Sequence, residues 1–260
     1  MTAVVWSYSL QERVAVVTGS ASGIGEATAR LLAAQGLGVA LVARRRERLQ
    51  EVAAEIVASG GRAFTVPADL SHPEAPAQVV AEVLERAGRL DVIVNNAAFF
   101  RVKPVAGFTL DEFDEHVAVN VRAPYFLVQA ALPALRASPG AVVVNISSAA
   151  AVMYRDGQTV YGLTKAALEH MTKNLAAELA PDGIRVACVR PGPIATEFHL
   201  SVENPEERLR GLGRLVPLGR VGQPEEIARW VWHLVDPEAA WVTGCVISVD
   251  GGRVLGPPGL

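Results

Sequence analysis

Short runs of apolar, often β-branched residues alternate with longer segments of helical periodicity along most of the chain. The runs predict strands at Val14–Thr18, Gly38–Ala43, Ala63–Val66, Asp91–Asn95, Ala141–Ile146, Ile184–Val189 and Cys245–Val249. Apolar residues at three-to-four spacing predict helices at Ile24–Gln35, Arg46–Ser59, Glu74–Ala87, Asp111–Leu135, Val160–Leu179 and Pro224–Val235. Such alternation is typical of strand–helix–strand units. It predicts an α/β, Rossmann-type fold: a doubly wound parallel sheet of about seven strands with helices on both faces.

The length and composition indicate one domain. The chain has 260 residues, of which 50% are hydrophobic and 20% charged, which is enough for a single large core. We therefore expect one Rossmann-type domain over residues 1–260, with an N-terminal arm at 1–10 and a C-terminal tail at 253–260. The stretch 191–222 has the weakest pattern, and we interpret it as a substrate loop rather than a linker.

The charge and cysteine content limit the class of partner. A net charge of −3 gives no reason to expect nucleic acid or an anionic membrane, which both require a clustered positive surface. Neither a signal peptide nor a run of membrane-spanning length is evident. Cys188 and Cys245 lie in apolar stretches, where small buried thiols are more common than a disulfide. We expect a cytoplasmic protein.

A glycine-rich run follows the first predicted strand and precedes the first predicted helix. Thr18–Gly25 contains Gly19, Gly23 and Gly25. Glycines allow a tight turn and close backbone approach, and a helix N-terminus presents free N–H groups to a phosphate. An ordinary strand-to-helix loop is the alternative, but the position in the first βα unit favours a dinucleotide site.

The residues after the second predicted strand bear on which dinucleotide is bound. An acidic residue there binds the ribose 2′-hydroxyl of NAD(H), whereas this chain has Arg44 followed by Arg45. Arginine favours a 2′-phosphate, so we predict NADP(H), with NAD(H) still possible. The alternative is that both arginines belong to the solvated start of a helix.

Further motifs accompany the glycine run. Tyr161 and Lys165 are four residues apart in a helical segment and therefore share one face. Asn95-Asn96-Ala97 follows the fourth predicted strand, and Asn145-Ile146-Ser147-Ser148 follows the fifth. With Thr-Gly-x-x-x-Gly-x-Gly at Thr18–Gly25 and Tyr-x-x-x-Lys at Tyr161, the chain resembles the short-chain dehydrogenase/reductase family over nearly its whole length.

This resemblance implies a catalytic set of Asn120, Ser148, Tyr161 and Lys165. Ser148 is favoured over Ser147 because it lies thirteen residues before Tyr161, as in the family. Tyr161 would exchange a proton with the substrate oxygen, and Lys165 would lower its pKa. Ser148 would polarise the carbonyl. Asn120, at a break in the long helical segment, would hold a water that supplies protons to Lys165, satisfy backbone groups at the break, or do both.

The resemblance also implies cofactor contacts across the chain. They comprise Gly19, Ser22, Gly23, Ile24, Gly25, Arg44, Arg45, Asp69, Leu70, Asn96, Ala97, Tyr161, Lys165, Pro191, Gly192, Ile194 and Thr196. One residue departs from the family pattern: Ala98 stands where a glycine usually follows Asn-Asn-Ala. Its methyl group narrows the region expected to hold the nicotinamide ribose.

The loops after these motifs provide candidate substrate contacts, and the five histidines provide no metal site. We expect substrate to meet Phe99, Tyr154, Arg155, Phe198 and His199. The histidines are scattered singly and lack ligand-like spacing, so we predict no metal.

The resemblance implies an NADP(H)-dependent ketoreductase acting on a 3-oxoacyl or secondary-metabolite carbonyl. An NAD(P)⁺-dependent secondary-alcohol dehydrogenase needs the same residues and remains an alternative. A non-catalytic dinucleotide sensor is the third possibility, although the complete catalytic set argues against it. Family members commonly pair helices between subunits, and the apolar segments Ala123–Leu135 and Val160–Leu179 favour a homotetramer or dimer.

Overall fold

The computed structural model describes residues 12–197 and 204–256. Seven strands form one parallel sheet in the order β3-β2-β1-β4-β5-β6-β7. They are β1 Val14–Thr18, β2 Gly38–Ala43, β3 Arg62–Pro67, β4 Val92–Asn95, β5 Val142–Ile146, β6 Arg185–Pro191 and β7 Val246–Val249. The predicted fold class is confirmed, and each predicted strand is present with ends shifted by at most two residues.

Helices cover both faces of this sheet. In the described residues they are α1 Gly23–Ala34, α2 Arg46–Ala58, α3 Ala75–Ala87, α4 Leu110–Val117, α5 Ala123–Arg136, α6 Thr159–Leu179, α7 Pro205–Gly213 and α8 Pro224–Val235. Helix α7 lies within the stretch 191–222, where the sequence pattern predicts only a loop. No helix in this part of the chain is both long enough and apolar enough to cross a membrane.

The break expected at Asn120 within the helical segment Asp111–Leu135 is present as a π-helical turn at Ala118–Arg122, which separates α4 from α5. Pro124 has no N–H and cannot make the α-helical hydrogen bond to the carbonyl of Asn120. The backbone instead adopts a wider turn, in which the N–H of Ala123 donates to the carbonyl of Ala118. The turn places Asn120 in the interior.

The core consists of two apolar layers, one on each face of the sheet. In β5, Val143 packs into the layer beneath α3, α5 and α6, while Val142 and Val144 pack into the layer beneath α1, α2 and α8. Because both faces are covered, the central strands are nearly continuous apolar runs rather than alternating apolar and polar residues. This burial fixes the register of the strands, and therefore the positions of the loops that follow them.

The loops that follow the carboxyl ends of the strands meet at one edge of the sheet. Strand β1 pairs with both β2 and β4, so the chain winds outward in opposite directions from this strand. Such a switch point leaves a crevice between the diverging loops, where ligands bind in open α/β sheets.

Candidate active site

A cavity of about 730 Å³ lies in this crevice. That volume is within the range of small-molecule sites. Its lining includes all the predicted cofactor residues except Gly25, together with Ser148, Tyr161 and Lys165 from the predicted catalytic set. Gly25 and Asn120 lie behind the lining. The topology thus brings segments from the whole length of the chain to one site.

The glycine run forms a turn that no side chain could occupy. Gly19 has φ +67°, and a Cβ on it would lie 2.8 Å from Nδ2 of Asn96. A Cβ on Gly25 would lie 2.3 Å from the carbonyl oxygen of Gly19. The N-terminus of α1 therefore packs closely against the ends of β1 and β4. Within the described residues, Ser22 caps none of its N–H groups, and such a helix end fits the phosphates of a dinucleotide.

Asn96 and Thr18 lock the end of β4 to the end of β1. The amide of Asn96 donates to the carbonyl of Thr18 over 2.9 Å. The hydroxyl of Thr18 accepts from the N–H groups of Asn96 and Ala97, both over 3.0 Å. Ala98, the departure from the family pattern, is exposed and lines the cavity directly after this lock.

The two arginines after β2 have different surroundings. Arg44 is exposed, lines the cavity and forms no ion pair within the described part of the chain. Burial acts to raise the pKa of Asp69, but hydrogen bonds from Ser71 and the charge of Arg44 lower it below its ordinary value. Arg45 is bound instead to the carboxylate of Glu197, with distances of 2.9 and 2.8 Å. Leu70 is buried beside Asp69 and contributes to the lining.

The segment after β6 lies across the glycine turn. A Cβ on Gly192 would lie 2.7 Å from Cα of Asp250, so only glycine allows this close approach. Ile194 pairs with Gly222 in an isolated bridge, and Thr196 reaches the turn, where its methyl lies 3.1 Å from the position of a Cβ on Gly23. Pro191 precedes these residues in the lining.

Tyr161, on the first turn of α6, shares a hydrogen bond with the side chain of Ser148. Ser148 also accepts a hydrogen bond from the N–H of Ala150 over 3.2 Å. The ring of Phe100 packs edge-on against Tyr161 at 4.6 Å between centroids. Burial raises the pKa of Tyr161 to about 12, and the hydrogen bond from Ser148 opposes that rise.

That Lys165 lowers the pKa of Tyr161 stays a prediction. The ammonium of Lys165 lies 5.7 Å from the centroid of the tyrosine ring and donates to the carbonyl of Ile146 over 2.8 Å. Burial lowers the pKa of Lys165 itself to about 8. The ammonium of Lys165 therefore lies deeper in the protein than the hydroxyl of Tyr161 and is bonded to the backbone of Ile146.

Ser147 is buried in the wall of the cavity, and its hydroxyl belongs to a network that sequence analysis missed. Its hydroxyl donates to Glu169 over 2.8 Å. Glu169 is in turn paired with Arg190, with distances of 2.7 and 2.6 Å. The only sequence signal for this network is that Glu169 lies one helical turn after Lys165. The network orients the loop that carries Ser148.

Asn120 joins three segments through its side-chain amide. Its oxygen accepts from the N–H of Phe99 over 2.8 Å, and its nitrogen donates to the carbonyl of Phe99 over 2.9 Å. The same nitrogen donates to the hydroxyl of Thr164 on α6 over 3.0 Å. These contacts make Asn120 a positioning residue for the loop after β4 and the catalytic helix. Its role in holding a water remains a proposal.

Only some of the predicted substrate residues that the structure describes line the cavity. Phe99 and Arg155 line the cavity, whereas Tyr154 does not; it is 83% exposed, and its hydroxyl bonds to Asp156. Phe198 and His199 lie outside the described residues. Phe100 and Arg101, which the sequence also places on the substrate side after Phe99, line the cavity, as do Gln158 and Arg208, which sequence analysis did not single out.

A family model described as enoyl-(acyl carrier protein) reductase matches residues 19–253, which includes every motif above except Thr18, the first residue of the glycine run. The chain belongs to the short-chain dehydrogenase/reductase family. Relatives of this oxidoreductase family include a 3-oxoacyl-[acyl-carrier-protein] reductase of Synechocystis sp., 36% identical over 249 residues, which span 95% of this chain and 99% of the relative. A tropinone reductase homolog of Arabidopsis thaliana is 37% identical over 252 residues, covering 95% of this chain and 93% of the homolog.

Solved structures of this family agree with the architecture. A short chain dehydrogenase from Burkholderia cenocepacia, determined in complex with NADP, superposes with a TM-score of 0.87 at 36% identity. The match covers 94% of this chain and 98% of that one. The short-chain dehydrogenase/reductase fold therefore extends over essentially all the described residues.

Proposed function

We propose that this short-chain dehydrogenase/reductase is an NADP(H)-dependent ketoreductase, which reduces a ketone to a secondary alcohol. The observation that carries the proposal is that Tyr161, Ser148 and Lys165 line the same cavity as the glycine turn. A pKa of about 12 keeps the Tyr161 hydroxyl protonated at neutral pH. Reduction needs a proton donor at this position, whereas oxidation of an alcohol needs an acceptor.

The residues present fit a nicotinamide dinucleotide phosphate. The turn Gly19–Gly25 and the N-terminus of α1 would hold the pyrophosphate, and Arg44 would bind a 2′-phosphate. Asp69 and Leu70 would contact the adenine, and Asn96 and Lys165 would contact the nicotinamide ribose. When bound, the cofactor supplies the hydride. The Burkholderia cenocepacia relative in complex with NADP supports this assignment.

The protein's own groups provide the proton and the orientation. Ser148 donates to the substrate oxygen and holds the carbonyl within reach of Tyr161. Tyr161 then transfers its proton to the oxygen as negative charge develops there. Lys165 lies behind the tyrosine, where its positive charge stabilises the tyrosinate that forms. The named activity of the Synechocystis relative supports a carbonyl in a 3-oxoacyl chain or a ketone of similar reactivity.

The decisive experiment follows NADPH and NADH absorbance over a panel of ketones and 3-oxoacyl thioesters. Tyr161→Phe should bind NADPH with unchanged affinity and lose at least about a thousandfold in kcat, because the proton donor is removed. Tyr154→Phe is the matched control, since that tyrosine is exposed, and it should leave kcat unchanged. Turnover by Tyr161→Phe at the wild-type rate would refute the mechanism.

We also propose a homotetramer assembled through α5 and α6. Three apolar side chains of these helices are substantially exposed: Tyr125 and Phe126 at 42% each and Leu163 at 54%. Contact with a second copy would bury them. Light scattering coupled to size-exclusion chromatography should give the tetramer mass for the wild type and a smaller assembly for Phe126→Glu. A monomeric wild type would refute this proposal.

A further inference from the structure

The loop after β4 is bound at regular intervals to α4 and the π-helical turn that follows it. Helical residues four apart in the sequence bind loop residues two apart, in reverse order. The pairs are Glu112 with Lys103, His116 with Arg101, and Asn120 with Phe99. Four residues of helix rise about 6 Å and two residues of extended chain span about 6.6 Å, so the two spacings match. We call these three pairs the loop ladder.

The middle pair of the loop ladder depends on the imidazole of His116, which is completely buried. Its Nδ1 lies 2.6 Å from the carbonyl oxygen of Glu112, which can only accept a hydrogen bond, so this nitrogen carries the proton. Its Nε2 keeps a free lone pair and accepts from the backbone N–H of Arg101 over 3.2 Å. The contacts on both sides therefore select the tautomer protonated at Nδ1, and both ring nitrogens are bonded.

Two aromatic rings pack against the same imidazole. The ring of Phe99 meets it edge-on at 4.7 Å between centroids, and the ring of Phe108 does so at 5.7 Å. The backbone of Phe99 is itself held by Asn120, over 2.8 and 2.9 Å. His116 thus supports Phe99 through its ring and Arg101 through its Nε2. Because these contacts hold the residues on both sides of Phe100, they determine where Phe100 lies.

The loop residues that lie between the ladder pairs contact the catalytic side of the cavity. Neighbouring side chains of an extended segment point in opposite directions. The ring of Phe100 packs against Tyr161 at 4.6 Å between centroids, and a methyl of Val102 lies 2.8 Å from the position of a Cβ on Gly157, in the turn before α6. Phe100 and Val102 both line the cavity. A shift of the loop along α4 would therefore move an apolar part of the cavity wall relative to the catalytic tyrosine.

We propose that His116 is a positioning residue of the substrate pocket, which holds Phe100 and Val102 at a set distance from Tyr161 and thereby determines the affinity for the apolar part of the ketone. The inference rests on the proposed ketoreductase function and identifies a residue that determines its specificity. His116 lies behind the cavity lining, so it acts on the substrate through the loop. A small displacement of such a support changes how well the substrate fits the wall.

Two substitutions separate the hydrogen bond of His116 from its ring. His116→Phe keeps an aromatic ring and removes the acceptor, whereas His116→Gln places an amide oxygen as far along the side chain as Nε2. With the ketone that the wild type reduces at the highest kcat/KM, His116→Phe should raise KM at least about tenfold, because the N–H of Arg101 loses its partner. Its kcat and its affinity for NADPH should change less than threefold. His116→Gln should keep KM within threefold of the wild type, and His233→Phe, exposed on α8, is the matched control.

The outer pair of the loop ladder tests the same arrangement without altering a buried residue. Lys103 and Glu112 form an ion pair whose side chains are 37% and 20% exposed, so Lys103→Met should fold even if His116→Phe does not. We expect Lys103→Met to raise KM for the same ketone about threefold, in line with the modest strength of a partly exposed ion pair. Lys173→Met, on the exposed side of α6, is the control and should leave KM unchanged. An unchanged KM in Lys103→Met, together with an unfolded His116→Phe, would overturn the inference.

Hydrogen exchange measured by mass spectrometry follows the loop independently of turnover. The amide of Arg101, in a peptide that covers residues 98–104, should exchange at least about fivefold faster in His116→Phe and at the wild-type rate in His116→Gln and His233→Phe. Faster exchange with an unchanged KM, or a raised KM without faster exchange, would overturn this inference and leave the ketoreductase intact. Failure of the wild type to reduce any ketone with either cofactor would overturn the proposed function, and this inference with it.

Discussion

Arg45 donates two hydrogen bonds to the carboxylate of Glu197, at 2.9 and 2.8 Å, across a separation of 152 residues in the sequence. The bond from Arg45, assisted by the hydroxyl of Ser22, lowers the pKa of Glu197 to about 2 despite the opposing effect of burial. The pair joins the start of α2 to the segment that crosses the glycine turn. Because Arg45 is already engaged, we propose that Arg44 is the arginine that binds a 2′-phosphate.

Replacing Arg44 with aspartate should reverse the cofactor preference. We expect Arg44→Asp to weaken NADPH binding by at least about tenfold, because a charge-assisted contact is replaced by repulsion. NADH binding should be unchanged or tighter, since a carboxylate there binds the 2′-hydroxyl. Fluorescence titration with each cofactor measures both affinities. Arg45→Gln is the control and should shift the ratio less than threefold; an equal effect of Arg44→Asp on both cofactors would contradict the assignment.

The pH dependence of the two reaction directions should differ. With the pKa of Tyr161 raised to about 12 by burial, the tyrosine is a proton donor throughout the range from pH 6 to 8. We expect kcat/KM for ketone reduction to be nearly constant over this range and that for alcohol oxidation to rise with pH, because oxidation requires tyrosinate. Steady-state rates in both directions, measured at constant ionic strength, test this.

Ser148→Ala provides an internal check on that profile. The hydrogen bond from Ser148 lowers the pKa of Tyr161, so its removal should move the rise in oxidation to still higher pH. A reduction rate that increases with pH in the wild type would mean that tyrosinate is the active form in that direction, contrary to the geometry.

Removing the buried charge of Lys165 should stabilise the protein while abolishing its activity. Lys165 is 2% exposed, and burial lowers its pKa to about 8 from an ordinary value of 10.5. At pH 7 the folded protein therefore holds a cation that burial disfavours. We expect Lys165→Met to raise the free energy of unfolding at pH 7 by on the order of 1–2 kcal/mol, after the lost bond to Ile146 is subtracted.

The size of this effect changes with pH in a way that identifies its cause. Between pH 8 and 10.5 the unfolded chain binds the Lys165 proton more tightly than the folded one, so wild-type stability from this group rises with pH. The advantage of Lys165→Met should therefore shrink over that interval. Urea unfolding at pH 7 and pH 10 measures it, with Lys173→Met, on the exposed side of α6, as the control. A variant destabilised equally at both pH values would refute the argument.

The fold was predictable from sequence because its determinants are local. Strands buried on both faces are continuous apolar runs, and the glycine turn needs residues without side chains at Gly19 and Gly25. The Tyr161–Lys165 spacing follows from helical geometry alone. Each of these features is encoded within a few neighbouring residues.

What the sequence does not indicate are contacts between distant segments, including the π-helical form of the break at Asn120. The π-helical turn depends on Pro124, but its position also reflects the bonds from Asn120 to Phe99, 21 residues away. No local pattern indicates that Arg45 meets Glu197 or that Tyr154 faces solvent. The pKa of Tyr161 follows from the depth of the cavity, which only the assembled loops define. These contacts and the pKa of Tyr161 thus depend on tertiary burial, which the periodicity of the sequence does not indicate.

A buried carboxylate at the opposite edge of the sheet also depends on distant contacts. Asp91 accepts from the N–H of Val14 over 2.7 Å, from Arg89 over 2.9 and 2.7 Å, and from the hydroxyl of Ser138. Burial acts to raise the pKa of Asp91, but the bonds from Arg89, Ser138 and Val14 lower it below its ordinary value. The carboxylate thus ties β1 to the segments that precede β4 and β5.

Asp91→Asn should destabilise the protein by roughly 2–4 kcal/mol at pH 7, because it leaves the donors around it incompletely satisfied. Since the folded pKa is depressed, the contribution of the carboxylate is present above the unfolded value near pH 4 and is lost as pH falls through the folded pKa. The wild type should lose stability below pH 4 more steeply than the variant. Asp182→Asn breaks an exposed pair with Arg136 and should cost less than about 1 kcal/mol. Urea unfolding of Asp91→Asn and Asp182→Asn at pH 7 and pH 3.5 measures both effects. Equal losses of unfolding free energy in the two variants would show that the network around Asp91 contributes no more than a surface ion pair.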